Sequence, residues 1–269
     1  MGRRKSDTSR SLRREITGIL KTTSLFSLYR DRKNLGRIFH WADSDQSMLE
    51  FYRQFVRRGD FVFDVGANLG NRVKIFLKIG ASVVAVEPQK KCVKFLKRAF
   101  KGESGLFIEP LALGKEDGRL DIRIATSNTI SSMSEEWIHS VRQSGRFNGM
   151  SWNKTESVRV TTLDGLIQKY GMPDFIKIDV EGYEPEVLDG LSSYVPALSF
   201  EFTPEFIDAA IYCIKLLSDL GNYRFNYAIG ETMAFSSEKW LDREEIIREL
   251  ISVHPDRNGD VYARWEGNG

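Results

Sequence analysis

The chain is poor in the residues that build disulfide frameworks and thiolate metal centres. Among its 269 residues there are only two cysteines and three histidines. Cys92 and Cys213 lie far apart in apolar, helical patterns, so neither a disulfide framework nor a thiolate metal site is expected. No hydrophobic run approaches a membrane span, and no apolar stretch of signal-peptide type follows the first residues. A reducing, cytoplasmic location is therefore expected.

A large net charge is also absent, but the charges are unevenly distributed. The formal net charge is +2, whereas residues 1–40 carry eleven Lys and Arg against three acids. The pattern predicts a basic arm with a helical segment over residues 1–44, followed by a mildly acidic domain over residues 45–269. Such an arm is usually a solvated terminus, but it also allows peripheral contact with an anionic membrane, a nucleic acid or an acidic partner.

Strands and helices alternate along the predicted domain. Phe61–Val65 and Ser82–Glu87 are short, apolar and β-branched, and each precedes an amphipathic helical pattern. Further strands are predicted at Leu106–Glu109, Phe175–Val180, Ala197–Phe202 and near the end of the sequence. This alternation is typical of a doubly wound α/β domain with a mostly parallel sheet. Residues 126–156 lose periodicity and are interpreted as an insertion that caps a site, with a variable surface loop as the alternative.

A glycine loop follows the first predicted strand and opens a helix. Gly66 and Gly70 are separated by three residues, and no Gly-Lys-Ser/Thr follows, so neither a nicotinamide dinucleotide site nor a Walker loop is matched. Asp64 precedes the first glycine by two positions, where its charge would repel a pyrophosphate by about 1 kcal/mol or more. The same carboxylate suits a ligand with a cationic amino group and no phosphate, such as S-adenosylmethionine.

An acidic residue also ends the second predicted strand. Glu87 lies twenty-one residues after Gly66, a spacing at which a carboxylate can accept hydrogen bonds from both hydroxyls of a ribose. Dinucleotide enzymes share this feature, so Glu87 supports a nucleoside-containing ligand without identifying it.

Four segments together resemble the FkbM family of methyltransferases: Phe63–Gly70, Val86–Pro88, Ile176–Glu184 and Ser199–Phe202. The resemblance runs from about Phe51 to Ala263 and is most specific in the Asp-Val-Glu-Gly segment at Asp179–Gly182. It implies the class I methyltransferase fold, a Rossmann-like, mostly parallel seven-stranded sheet with one antiparallel strand. It also implies S-adenosylmethionine as cofactor and O-methylation of a hydroxyl on a sugar or other small metabolite. The cofactor-binding residues predicted from the motifs and the resemblance are Asp64, Gly66, Ala67, Asn68, Gly70, Glu87, Pro88, Leu111, Ala112 and Asp179.

Acidic residues recur where the later strands end. Asp179 and Glu181 share one face of their strand with Lys177, and Glu201 lies on the predicted neighbouring strand. A buried lysine is costly unless it is paired, and Glu201 is its expected partner. The resemblance implies that Asp179 and Glu181 lie near the transferred methyl group, and with Glu201 they form the predicted catalytic set. A carboxylate there can remove the proton of an attacking hydroxyl.

Several alternatives stay open. Asp179 could only orient the cofactor, Glu181 could only stabilise the turn at Gly182, and His139 in the insertion is a rival base. A metal-free site is expected, with Mg²⁺ held by the oxygens of Asp179, Glu181 and Glu201 as the alternative. For the whole protein, the alternatives are a nucleic-acid methyltransferase and a non-catalytic binding protein of the same fold. Nucleic acid is disfavoured because acidic strand ends repel a polyphosphate.

Overall fold

The computed structural model describes residues 34–36, 38–127 and 130–267. The chain divides by its internal contacts into two units, Met1–Ala42 and Asp43–Gly269. Most of the predicted basic arm, residues 1–44, lies outside the described residues. None of the described helices is both long and apolar enough to cross a membrane.

The second unit alternates strands and helices. The strands are β1 (Phe61–Val65), β2 (Ser82–Val86), β3 (Leu106–Glu109), β4 (Ala112–Leu113), β5 (Gly118–Ile124), β6 (Lys154–Thr161), β7 (Phe175–Ile178), β8 (Ala197–Phe202), β9 (Tyr223–Ile229) and β10 (Gly259–Trp265). The helices are α1 (Asp43–Tyr52), α2 (Asn71–Ile79), α3 (Lys90–Ala99), α4 (Glu135–Ser144), α5 (Leu163–Tyr170), α6 (Glu184–Asp189), α7 (Ile207–Leu220) and α8 (Arg243–Ser252). A 3₁₀ turn, Pro204–Phe206, precedes α7.

Seven strands form the main sheet, in the order β3-β2-β1-β7-β8-β10-β9. Neighbours are parallel except at β10, which runs antiparallel to both β8 and β9. The predicted doubly wound, mostly parallel sheet with one antiparallel strand is therefore confirmed. Both faces of the central strands are buried, because Phe63 packs into an apolar cluster on one side and Val62 into a second cluster on the other.

The stretch predicted as an irregular insertion, residues 126–156, contains regular structure. Ser134 caps α4 by accepting the backbone N–H of Trp137, and β6 begins at Lys154 and pairs with β4 and β5. A small apolar cluster fills the segment, including Trp137, Ile138, Val141 and Trp152. The sequence pattern does not reveal this helix because only Trp137, Ile138 and Val141 of its 10 residues are apolar.

Candidate active site

The ends of the central strands bring the predicted site residues to one edge of the sheet. β1 lies between β2 and β7, and β8 lies beside β7, all four in parallel. The residues at and after their carboxyl ends, Glu87, Asp179 and Glu201, are therefore neighbours at the edge where ligands bind in open α/β sheets. Leu111 and Ala112 follow β3 at the same edge and are buried.

The glycine loop packs tightly against the segment that follows β7. Gly66 has φ 86°, and a Cβ there would overlap the carbonyl oxygen of Asp179. Only glycine tolerates both the left-handed backbone and this contact. Ala67 is buried, and Asn68 also has a positive φ of 49°. The loop is thus fixed by its packing against the end of β7. The sequence pattern does not reveal that this contact requires a glycine at position 66.

Asp64 lies behind this loop with 2% of its surface exposed. Burial raises the pKa of its carboxyl to about 7, and the backbone N–H of Val73 in α2 donates to it. Its Oδ2 atom has no hydrogen-bond partner among the described residues. An unsatisfied buried acceptor is costly, so this oxygen fits the cationic amino group of S-adenosylmethionine, the ligand predicted from the sequence.

Glu87 connects the glycine loop with the segment after β2, because each of its carboxylate oxygens accepts one backbone N–H. Oε2 accepts the backbone N–H of Asn68 at 2.8 Å, and Oε1 accepts that of Gln89 at 2.7 Å. Burial raises the pKa of Glu87 to about 7 in spite of these two bonds. Each carboxylate oxygen keeps a second lone pair, so the side chain can still accept the hydroxyls of a ribose. Pro88 follows Glu87 and is partly buried.

Three carboxylates meet near the carboxyl ends of β7 and β8. Oxygen atoms of Asp179, Glu181 and Glu201 lie within 4.8 Å of one another. Burial and the surrounding carboxylates raise the pKa of both Glu181 and Glu201 well above the ordinary value. Like charges at this separation disfavour simultaneous ionisation of the cluster. Within the described ranges this is the one group of acidic, histidine or cysteine side chains with a spacing that could hold a metal ion.

Lys177 lies next to this cluster, and the prediction that Glu201 is its partner is wrong. Its side chain is 1% exposed, and Nζ donates to Oδ1 of Asp260 at 2.9 Å and to Oδ2 of Asp179 at 3.4 Å, rather than to Glu201. Ser199 stands opposite Lys177 on β8, and this small residue leaves room for the lysine to reach across to β10. Asp260 could not be found from local sequence because it depends on the register of a late, antiparallel strand.

Glu184 is a second residue that the sequence analysis did not single out. It is 4% exposed, and Oε1 accepts the backbone N–H of Val180 at 3.0 Å, which closes the turn between β7 and α6. Burial raises its pKa to about 7. In the sequence, the one sign of this role is the position of Glu184 five residues after Asp179, at the start of α6.

His139, the rival base, lies on the exposed side of α4. Its Nε2 is 2.8 Å from Nε2 of Gln143 in the next turn. The neighbouring Trp137 and Ile138 are buried instead. The carboxylate cluster, unlike His139, combines partial burial with several ionisable neighbours.

The strand order, the reversed β10 and the glycine loop after β1 define a class I methyltransferase fold. Residues 64–212 match the sequence profile described as Methyltransferase FkbM domain. This match covers more than half of the chain, and the chain belongs to the FkbM methyltransferase family. The protein is accordingly an S-adenosylmethionine-dependent methyltransferase, as the sequence predicted.

Several solved structures are similar to the chain. They include the precorrin-6y C5,15-methyltransferase of Geobacter metallireducens, with 13% identity, 82% of this chain and 87% of that chain covered, and a TM-score of 0.42. The O-methyltransferase of Bacillus cereus in complex with SAH has 10% identity, coverages of 87% and 91%, and a TM-score of 0.43. The fibrillarin pre-rRNA processing protein of Methanococcus jannaschii has 11% identity, coverages of 80% and 70%, and a TM-score of 0.38. No curated protein matches the chain significantly.

Proposed function

We propose that the protein transfers a methyl group to a hydroxyl of a sugar or other small metabolite. The observation that carries this proposal is the cluster of Asp179, Glu181 and Glu201 at the ligand-binding edge of the sheet. An alcohol is a weak nucleophile, so its methylation needs a group that accepts the hydroxyl proton as the new bond forms. The half-buried carboxylates of Glu181 and Glu201, whose pKa values are raised, meet this need.

S-adenosylmethionine supplies the methyl group when it is bound. Asp64 offers its unpartnered oxygen to the amino group, and Glu87 offers the remaining lone pairs of its carboxylate to the ribose. Gly66, Ala67, Asn68 and Gly70 line this side of the proposed site, together with Pro88, Leu111 and Ala112. Asp179 orients the cofactor beside the carboxylates, and Glu181 or Glu201 accepts the proton of the acceptor hydroxyl. The segment 126–156 is proposed to cap the acceptor side.

The alternative acceptors and roles have less support. A nucleic acid would bring its phosphates towards Asp179, Glu181 and Glu201, which repel anions. A non-catalytic protein of this fold has no need for a clustered, half-buried acid set, because the mutual repulsion of its members is costly. We also infer a reducing, cytoplasmic location, because the buried Cys92 and Cys213 are thiols that form no disulfide bond.

The cofactor half of the proposal is tested by titration calorimetry. We expect S-adenosylmethionine and its demethylated product to bind, and NAD not to bind. Glu87→Gln should weaken cofactor binding by about 1 to 3 kcal/mol, the scale of a hydrogen bond to a charged group. Asp174→Asn is the control, because Asp174 lies before β7 at the opposite edge of the sheet and accepts the N–H of Phe61. Binding of NAD without S-adenosylmethionine would refute this half.

The acceptor half starts from untargeted mass spectrometry of cells with and without the gene. Features that differ by one methylene group would name the acceptor class. With that acceptor, Asp179→Asn and Glu181→Gln should separate the roles of the two residues. Loss of general-base catalysis lowers turnover by about a hundredfold or more, while loss of orientation weakens cofactor binding first. Catalysis by a carboxylate of this cluster is ruled out if Asp179→Asn, Glu181→Gln and Glu201→Gln all keep normal turnover. In the same assay the control Asp174→Asn should behave as the wild type.

A further inference from the structure

A serine of the segment 126–156 is bonded to the backbone of the acidic turn. Ser132 is 1% exposed, and its Oγ donates to the carbonyl oxygen of Glu181 at 2.6 Å while accepting the N–H of Ser134 at 2.9 Å. The backbone of Ser132 also pairs with Arg123 of β5, through bonds of 2.8 and 3.2 Å. The hydroxyl is therefore anchored to the small sheet and placed on the turn that carries Glu181.

A tryptophan of the same segment packs on the next residue of that turn. Trp137 is 1% exposed, and its ring lies where a Cβ of Gly182 would be. Its Nε1 donates to Oγ1 of Thr203, which directly follows β8, at 3.2 Å. Trp137 thus connects the turn after β7 with the end of the strand that carries Glu201.

The turn needs such support because its backbone conformation is unusual. Glu181 has φ 57°, in the left-handed region that residues with a Cβ rarely adopt. A residue in this region stays there only when its surroundings hold it. The Glu181 carboxyl also lies near three other acids, Asp179, Glu184 and Glu201, whose effect on its pKa Lys177 opposes. Mutual repulsion would move a loosely held Glu181 away from the cluster.

We propose that Ser132 and Trp137 are positioning residues that hold the Glu181–Gly182 turn, and through it keep the Glu181 carboxylate against Asp179 and Glu201. They act through the backbone of the turn. The segment 126–156 is then a structural part of the catalytic edge in addition to its proposed role as a cap. The importance of this role for catalysis rests on the function proposed above for Glu181, whereas the placement of the carboxylate can be measured independently.

The measurement is a ¹³C NMR titration of the glutamate side-chain carboxyls in the full chain, without cofactor or acceptor. The signal of Glu181 is assigned by its loss in Glu181→Gln. In the wild type, burial and the surrounding acids hold the pKa of Glu181 well above its ordinary value. Ser132→Ala and Trp137→Leu should each shift this titration to lower pH, because the released side chain moves towards solvent. Ser132→Ala removes only a hydroxyl, so the test still works if Trp137→Leu does not fold.

Trp152→Leu is the matched control. Trp152 is 5% exposed, belongs to the same apolar cluster as Trp137, and donates Nε1 to the carbonyl of Ile130 at 2.7 Å. It should leave the titration of Glu181 unchanged. Unchanged titration in both Ser132→Ala and Trp137→Leu would overturn the proposal, as would an equal shift in Trp152→Leu. Failure of the wild type to bind S-adenosylmethionine would count against the proposed function and leave this result unaffected.

Discussion

The ion pair beneath the acidic cluster predicts a large and specific loss of stability. Lys177→Met removes a charge from a side chain that is 1% exposed and leaves the carboxylate of Asp260, with 10% of its side chain exposed, without its partner at 2.9 Å. At this distance and an effective dielectric constant of about 20, the pair attraction is about 6 kcal/mol. Desolvation of both groups offsets part of it, so the net cost should be about 3–5 kcal/mol, as for other broken buried pairs.

Urea unfolding at neutral pH measures this cost, and a second substitution isolates its cause. Because most of the loss comes from the stranded charge, Lys177→Met/Asp260→Asn should recover more than half of it. The single substitution Asp260→Asn closes the cycle. The reasoning is refuted if Lys177→Met costs less than about 1 kcal/mol, or if the two substitutions add without interaction.

Three further predictions concern the buried carboxyl of Glu184, the tightly packed Gly66 and the predicted domain boundary. Burial raises the pKa of Glu184 to about 7, against 4.5 in the unfolded chain, so its contribution to the free energy of unfolding is present below pH 4.5 and lost as the pH rises through 7. Glu184→Gln should therefore raise the free energy of unfolding in urea by about 2–3 kcal/mol more at pH 8 than at pH 5. An effect of the substitution that does not change with pH would contradict this. Gly66→Ala should cost about 1–3 kcal/mol, because its Cβ would overlap the carbonyl of Asp179; a wild-type melting temperature would contradict it. Deleting residues 2–30 should leave the calorimetric affinity for S-adenosylmethionine unchanged, and a folded variant without binding would show that the predicted domain boundary is misplaced.

The first two strands and the glycine loop could be predicted from the sequence because neighbouring residues determine them. Phe61–Val65 and Ser82–Val86 are short β-branched runs, and Gly66 marks the turn between strand and helix. Residues close in sequence fix these elements, and parallel strands then bring their carboxyl ends together. The grouping of Asp64, Glu87 and Asp179 at one edge follows from this topology alone.

The partners across the sheet could not be predicted, because they depend on contacts between distant segments. The sequence pattern suggested only strands for the terminal region, where the structure also contains α8, begun by a capping box between Asp242 and Glu245. The register of β10, and hence the pairing of Asp260 with Lys177, follows from tertiary packing. Ser132 and Trp137 carry no local signature of a contact with the Glu181 turn, since a buried serine and tryptophan are common in any core.

The position of β10 has a consequence for the order in which the protein assembles during synthesis. It is the last strand of the sheet in chain order, yet it lies between β8 and β9 rather than at an edge. While a ribosome is still making the segment before Gly259, Lys177 has already emerged without Asp260, and β9 has no neighbour to join it to the sheet. Lys177 therefore gains its contact with Asp260 only after β10 has been made. A chain stalled before β10 exposes unpaired edges of β8 and β9, which a chaperone can recognise.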